Sequence, residues 1–110
     1  MRNDRDRLMD ICEAADRVRE KLPKAKADFI ASDLLQVWVS WHLQMIGEAA
    51  NTISAPFQKE HPEIPWKDII AMRNLLVHQY FRIDVDELWS TAYDDLPRLR
   101  TQINRILKKG

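Results

Sequence analysis

The sequence has 110 residues, of which 45% are hydrophobic and 31% are charged. This length and balance predict one globular domain over residues 1–110 and exclude a disordered chain. Two glycines are too few for the turns of an all-β fold, so the composition favours helices. Seventeen basic residues balance seventeen acidic ones, which excludes a global positive field that would draw the chain onto nucleic acid.

The cellular compartment is predicted from the cysteine and from the N-terminal residues. Cys12 is the single cysteine, so no intrachain disulfide can form and a reducing compartment is expected. The N-terminal residues are too charged for a secretory signal, and no apolar run approaches the roughly 20 residues that span a bilayer. We therefore expect a cytoplasmic protein that does not contact a membrane.

The first predicted helix covers residues 4–22. Its apolar residues recur at steps of three and four and therefore share one stripe; they are Leu8, Ile11, Ala15, Val18 and Leu22. Pro23 ends this helix, because proline lacks an N–H and restricts the residue before it.

A second helix is predicted from about Asp28 to Ile53. Between Leu34 and Ala50 its apolar residues cover much more than one stripe, so this helix needs cover on more than one side. In a chain this short, we expect a second copy of the same protein to supply part of that cover. Gly47 lies inside the helix at a cost of about 1 kcal/mol relative to alanine, and close helix–helix approach is a sufficient reason for it.

The remaining elements are read from the prolines and the apolar periodicity. Three prolines within residues 54–65 predict a connecting loop with about one helical turn. A third helix runs from Trp66 to about Val77, and a turn follows at residues 80–84. The last helix covers residues 85–110, with a kink or break expected at Pro97. These elements predict a four-helix bundle with short connections.

One cluster of residues has the composition of a chemical site, namely the segment Arg73-Asn74-Leu75-Leu76-Val77-His78-Gln79-Tyr80. RNA cleavage by the 2′-hydroxyl needs a base for that hydroxyl, an acid for the leaving 5′-oxygen and positive charge against the phosphorane. His78 could transfer protons near neutral pH, and Arg73 could hold the phosphate with its planar guanidinium. This chemistry requires no metal and no other cofactor.

The spacing of Arg73 and His78 leaves two arrangements open. Residues five apart on an ideal helix lie about 140° apart, so these two side chains would not point together. Either the helix loosens around Val77, or two chains bring their motifs face to face. The second arrangement also supplies two imidazoles, whereas one imidazole cannot easily be acid and base in the same step.

The same cluster also has a purely structural interpretation. Among ten arginines and three histidines this spacing arises easily by chance, and it could mark a helix C-terminus with a capping histidine. Glu48 lies in an apolar helix, where an unpaired carboxylate would be costly. We predict that Glu48 pairs with Arg73 or caps a backbone group, which is an orienting role. His42 and His61 are interpreted as packing residues.

The chain resembles the HepT-like toxins of the HEPN superfamily. The motif Arg-Asn-x-x-x-His-x-Tyr stands at Arg73, Asn74, His78 and Tyr80. Two further segments carry the resemblance, Ile46-Gly47-Glu48-Ala49-Ala50 and His61-Pro62-Glu63-Ile64-Pro65-Trp66. The resemblance covers residues 5–107. It implies an all-α fold, a four- to five-helix up-and-down bundle of the HEPN type that forms homodimers with a cleft between the two Arg-x-x-x-x-His motifs.

The resemblance also implies a function and partners. The chain would be a toxin, a metal-independent endoribonuclease acting on RNA, with Arg73 and His78 catalytic and with Asn74 and Glu48 in supporting roles. Its partner would be a minimal nucleotidyltransferase antitoxin that transfers AMP from ATP onto the motif tyrosine, here Tyr80. The AMP would add bulk and negative charge where the RNA phosphate would lie.

Two alternatives to the nuclease remain open. The chain could be a non-catalytic helical module that partners the nucleotidyltransferase or binds nucleotide. It could also be a structural dimer whose polar cluster only caps a helix.

Overall fold

The computed structural model describes residues 3–79 and 82–109, and the regular structure within these ranges is helical. The elements are α1 (Asp4–Lys21), α2 (Lys26–Ile30), α3 (Asp33–Thr52), α4 (Ala55–Glu60), α5 (Trp66–His78), α6 (Val85–Ser90), a π-helical turn (Thr91–Asp95) and α7 (Leu96–Lys109). The predicted all-α class is confirmed. No helix within the described ranges has both the length and the apolar character needed to cross a membrane.

The predicted second helix is divided into two helices, α2 and α3, which corrects the expectation of one helix from Asp28 to Ile53. The backbone of Ser32 is extended, and its hydroxyl accepts a hydrogen bond from the N–H of Leu35 at 3.1 Å. Ser32 is therefore an N-cap that begins a new helix. The apolar pattern continues across this break, so periodicity alone did not reveal it.

Helix α3 is the central element of the bundle. It packs along α1 on one side and along α5 on the other, while α7 packs against α1. The core that these helices enclose includes Ile11, Val18, Val39, Ala50 and Ile103, each with no exposed surface. We expected α3 to be covered on more than one side, and α1 and α5 of the same chain supply cover on two of its sides.

The last predicted helix is interrupted by the π-helical turn, just before Pro97. There the N–H of Leu96 donates to the carbonyl of Thr91, five residues earlier, instead of four. In a regular α-helix the ring of Pro97 would clash with the carbonyl of Tyr93. The wider turn gives the ring room, so the break expected at Pro97 lies at residues 91–95.

The connection between α3 and α5 is more helical than expected. Helix α4 occupies six residues of it, where the prolines predicted about one turn. The N–H and the hydroxyl of Ser54 both donate to the carboxylate of Asp4, at 2.9 and 2.7 Å. These bonds fix the start of α4 to the start of α1.

Replacing Phe29 with alanine tests how the short helix α2 is held. Phe29 is fully buried, and its ring lies 5.5 Å from that of Trp89. Five residues cannot form a stable helix alone, so this side chain anchors the segment. We expect Phe29→Ala to lower the free energy of unfolding by about 3–5 kcal/mol, measured by urea denaturation. The control Ile30→Ala removes a half-exposed neighbour and should cost less than about 1 kcal/mol; equal losses would contradict the anchor.

Candidate functional site

Three residues of the predicted site form one hydrogen-bonded group between α3 and α5. The Nε of Arg73 donates to Oε1 of Glu48 at 2.9 Å, and Nη2 of Arg73 donates to the same oxygen. Nη1 of Arg73 donates to Oδ1 of Asn74 at 2.8 Å. The predicted pairing of Glu48 with Arg73 is therefore present.

The guanidinium of Arg73 is oriented but not fully occupied. Its side chain is 25% exposed, and the bonds to Glu48 and Asn74 use three of its N–H groups. An arginine carries five such donors in one plane, so two have no partner among residues 3–79 and 82–109 and could contact an anion. The carboxylate of Glu48 offsets part of the positive charge of Arg73. The bonds to Glu48 and Asn74 also fix the directions of the remaining N–H groups. We therefore expect Arg73 to favour an anion whose oxygens lie along those directions.

Gly47 determines how closely α5 approaches α3 at this site. A Cβ atom placed on Gly47 would lie 2.1 Å from Cβ of Arg73 and 2.7 Å from its Cγ. It would also lie 3.3 Å from the carbonyl oxygen of Ile69. The close approach expected at Gly47 is present, and it places Arg73 beside Glu48. The sequence pattern did not identify Arg73 as the neighbour of Gly47, because spacing along one helix does not specify its contacts with another.

His78 is the last residue of α5 and is exposed. Helix α5 remains regular through His78, and the N–H of Gln79 donates to the carbonyl of Leu75 at 2.8 Å. The helix therefore does not loosen around Val77, and Arg73 and His78 of one chain point in different directions. Tyr80, the predicted AMP acceptor, lies outside the described residues.

The other two histidines are packing residues, as expected. His42 is 4% exposed, its Nδ1 lies 2.8 Å from the carbonyl oxygen of Trp38, and its ring contacts those of Trp38 and Trp41. The ring of His61 lies 4.5 Å from that of Phe57. These contacts account for the presence of both histidines, so neither needs a catalytic role to explain it.

Cys12 is not a candidate nucleophile. Its side chain is buried on α1, and burial raises the pKa of the thiol. The thiol therefore stays protonated near neutral pH, whereas the thiolate is the reactive form. Within residues 3–79 and 82–109, no group of three histidine, cysteine, aspartate or glutamate side chains is arranged to hold a metal ion.

Comparison with known proteins gives one family. A family model described as ribonuclease HepT-like matches residues 11–106. A protein of Thermococcus cleftensis named "Probable ribonuclease HepT" is 37% identical over 108 residues, which is 97% of this chain and 98% of the relative. A Methanocaldococcus jannaschii protein named "Putative RNase MJ1380" is 34% identical over 100 residues, which is 90% of this chain and 92% of the relative. No solved structure gives a significant match.

Replacing Gly47 with alanine tests the close approach of the two helices. Alanine is the better helix former by about 1 kcal/mol, but its Cβ would force α5 away from α3. We expect a net loss of about 1–3 kcal/mol in the free energy of unfolding, measured by urea denaturation. The control Asn51→Ala changes an exposed residue of the same helix and should stay within about 0.5 kcal/mol of wild type. A Gly47→Ala protein that is as stable as wild type would disprove this contact.

Proposed function

The chain belongs to the HepT-like ribonuclease family, and on that premise we propose that it is a toxin that cleaves RNA in a cleft between two copies of itself. The observation that carries this proposal is the guanidinium of Arg73, held by Glu48 and Asn74 with two donors free, on the helix that ends at His78. The names of the relatives support an RNase.

The proposed reaction requires no metal. The imidazole of His78 in one copy takes the proton of the 2′-hydroxyl while the 2′-oxygen attacks phosphorus. As the bond from phosphorus to the 5′-oxygen breaks, the protonated His78 of the second copy gives its proton to that oxygen. The products are a 2′,3′-cyclic phosphate and a 5′-hydroxyl. Arg73 stabilises the negative charge that accumulates on the phosphorane oxygens, with its guanidinium already oriented by Glu48 and Asn74.

The regularity of α5 supports the need for two copies. Arg73 and His78 lie about 140° apart on this helix, so the two side chains of one copy approach a phosphate from different directions, and one copy supplies only one imidazole. Two motifs that face each other across a two-fold axis would supply a guanidinium and an imidazole from each side. They would also supply one imidazole to act as base and another to act as acid.

An exposed apolar stripe on α3 supports the same proposal. Leu34, Val37, Trp41 and Met45 follow at steps of three and four, and their exposed fractions are 82%, 53%, 54% and 37%. Clustered large apolar side chains indicate an interaction surface more strongly than scattered ones do. Glu48 lies three residues beyond Met45 and continues the stripe to the site. A second copy that covers the stripe would therefore lie beside Arg73.

Control of the nuclease is proposed to occur at Tyr80, two residues after His78. A minimal nucleotidyltransferase antitoxin would transfer AMP from ATP to the phenol oxygen and release pyrophosphate. The new phosphodiester would add a negative charge close to the motif, where it would compete with RNA for the free donors of Arg73. This step turns off the toxin without unfolding it.

The catalytic roles are tested by expressing the chain without any antitoxin. We expect growth arrest from wild type and from Tyr80→Phe, and no arrest from Arg73→Ala or His78→Ala. With purified protein, the two alanine variants should cleave RNA at least about a hundredfold more slowly, because each removes a group that acts in the transition state.

The control for the catalytic variants is His61→Ala, which changes a histidine outside the site and should preserve both arrest and cleavage. Absence of arrest from every variant, with all of them folded and dimeric, would exclude the nuclease. That result would favour the non-catalytic module that partners the nucleotidyltransferase.

The dimer surface is tested by placing a charge on the apolar stripe. We expect Trp41→Glu to weaken dimerisation at least about a hundredfold, because a carboxylate would be buried without a partner. Sedimentation equilibrium measures the dissociation constant. The control Tyr93→Glu changes an aromatic residue of similar exposure, 51%, in the π-helical turn and not on α3. If both variants dimerise as wild type does, the stripe is not the interface.

A further inference from the structure

A groove of about 640 Å³ lies between α3, α5 and the segment from α6 to α7. Helix α3 forms its floor, α5 forms one wall, and the segment from α6 to α7 forms the other. Its apolar lining includes Leu43, Ile46, Ile69, Met72, Leu75 and Leu99. We call this surface the acidic groove, for the charges on its rim that are described below.

The acidic groove lies where α5 and α7 do not pack extensively against each other. Among the described elements, α5 makes its extensive contacts with α3, whereas α7 makes its own with α1 and the π-helical turn. The side-chain amide of Gln102 donates to the carbonyl of Glu63 at 3.0 Å, which joins the two walls at one point. The groove is therefore a position between neighbouring helices that a further helix could occupy.

The rim of the groove carries an excess of negative charge. Four acidic residues line it, Glu63, Asp68, Glu87 and Asp95. Arg98 is the one basic residue in the described lining. The whole chain is neutral, so this excess is local. RNA would be repelled here, so the groove itself is not expected to bind RNA.

We propose that the acidic groove binds a basic amphipathic helix of a partner protein. The wall along α5 extends from Pro65 to Leu75, which is about 15 Å and matches about three helical turns. An apolar stripe on the partner would pack on Met72 and Leu75, and its lysines or arginines would lie along the acidic rim. The charge excess selects this occupant over an acidic or neutral helix.

A second copy of this chain fits the groove poorly. Its most basic helix is α7, which carries Arg98, Arg100, Arg105, Lys108 and Lys109. The apolar face of α7 is already buried in the core of its own copy, through Leu96, Leu99 and Ile103. It has no apolar face left to place in the groove of another copy.

The occupied groove would contact the helix that carries the proposed catalytic residues. Leu75 lies about 160° around α5 from Arg73. His78 lies three residues beyond Leu75 and about 60° from it around the helix, so a partner in the groove would lie beside one of the two proposed catalytic residues. The binding proposal does not depend on the nuclease proposal, because its test measures binding and not cleavage.

The test uses two synthetic peptides of 14 residues with one leucine stripe. In one peptide the remaining positions are lysine, and in the other they are glutamate. Fluorescence anisotropy with the full chain at about 150 mM salt gives each dissociation constant. We expect the lysine peptide to bind at least about tenfold more tightly than the glutamate peptide, because only lysine complements the rim. Binding of neither peptide, or equal binding of both, would overturn the proposal.

Charge reversal locates the binding site of the lysine peptide. The double variant Asp68→Lys with Asp95→Lys should weaken binding at least about tenfold. The control is the double variant Asp33→Lys with Glu20→Lys, which changes the net charge by the same amount at exposed residues outside the groove. Asp33 also matches Asp68 in position, because each lies in the first turn of its helix. The control should weaken binding less than about twofold. Equal weakening by both variants would show non-specific attraction and overturn the proposal.

Two further measurements cover the remaining outcomes. Amide shifts of the wild-type chain should change on peptide binding at Ala71, Met72, Leu75 and Leu99. Changes confined to other residues would overturn the proposal even if the charge-reversed variant does not fold. Light scattering should give the same mass for the charge-reversed variant as for wild type. A lower mass would show that a second copy occupies the groove.

Discussion

The contact between α5 and α3 at Gly47 determines the geometry of everything around the motif. With no side chain on Gly47, the aliphatic stem of Arg73 lies directly on the backbone of α3. The guanidinium then reaches Glu48, the next residue of α3, and holds Asn74 of its own helix. Three residues from two helices thus form one hydrogen-bonded group, and two N–H donors of Arg73 have no partner within the described part of the chain. A larger residue at position 47 would collide with the side chain of Arg73, so Arg73 or the helix that carries it would have to shift.

Three surfaces of different character lie close together in this small molecule, namely the apolar stripe, the group around Arg73 and the acidic groove. Helix α3 contributes to three of them: its apolar stripe is exposed, Glu48 orients the arginine, and Leu43 and Ile46 form the floor of the acidic groove. Arg73 itself does not line that groove. A neutral chain can therefore offer a local cation to RNA and a local anionic surface to a basic partner.

Much of the fold was predictable because prolines and apolar periodicity mark helix ends directly. Helix α1 ends before Pro23 and α5 begins after Pro65, as predicted. The break at Ser32 was missed because apolar residues continue through it. A break at Pro97 was predicted, but its form as a π-helical turn was not, because a shift of one hydrogen-bond partner leaves no mark in the apolar pattern.

The sequence predicted the contacts of some residues of the candidate site and not those of others. The pairing of Glu48 with Arg73 was predicted, but the reason given for it was wrong, because the side chain of Glu48 is 47% exposed and pays little for an unpaired carboxylate. The neighbour of Gly47 did not follow, since it depends on how two helices cross. The groove was also unpredictable, because it lies where α5 and α7 do not pack extensively, and the sequence pattern does not specify which helices pack together. The catalytic roles of Arg73 and His78 remain proposals.

The contacts between the two ends of the chain have a consequence for its synthesis. Arg100 of α7 binds Asp16 of α1 with its Nε at 3.0 Å, across 84 residues. At about 5–20 residues per second, a ribosome needs several seconds to make that stretch. During this interval one flank of α1 has no partner from its own chain. The nascent protein is then open to chaperones and aggregation, and its bundle closes only as α7 leaves the ribosome.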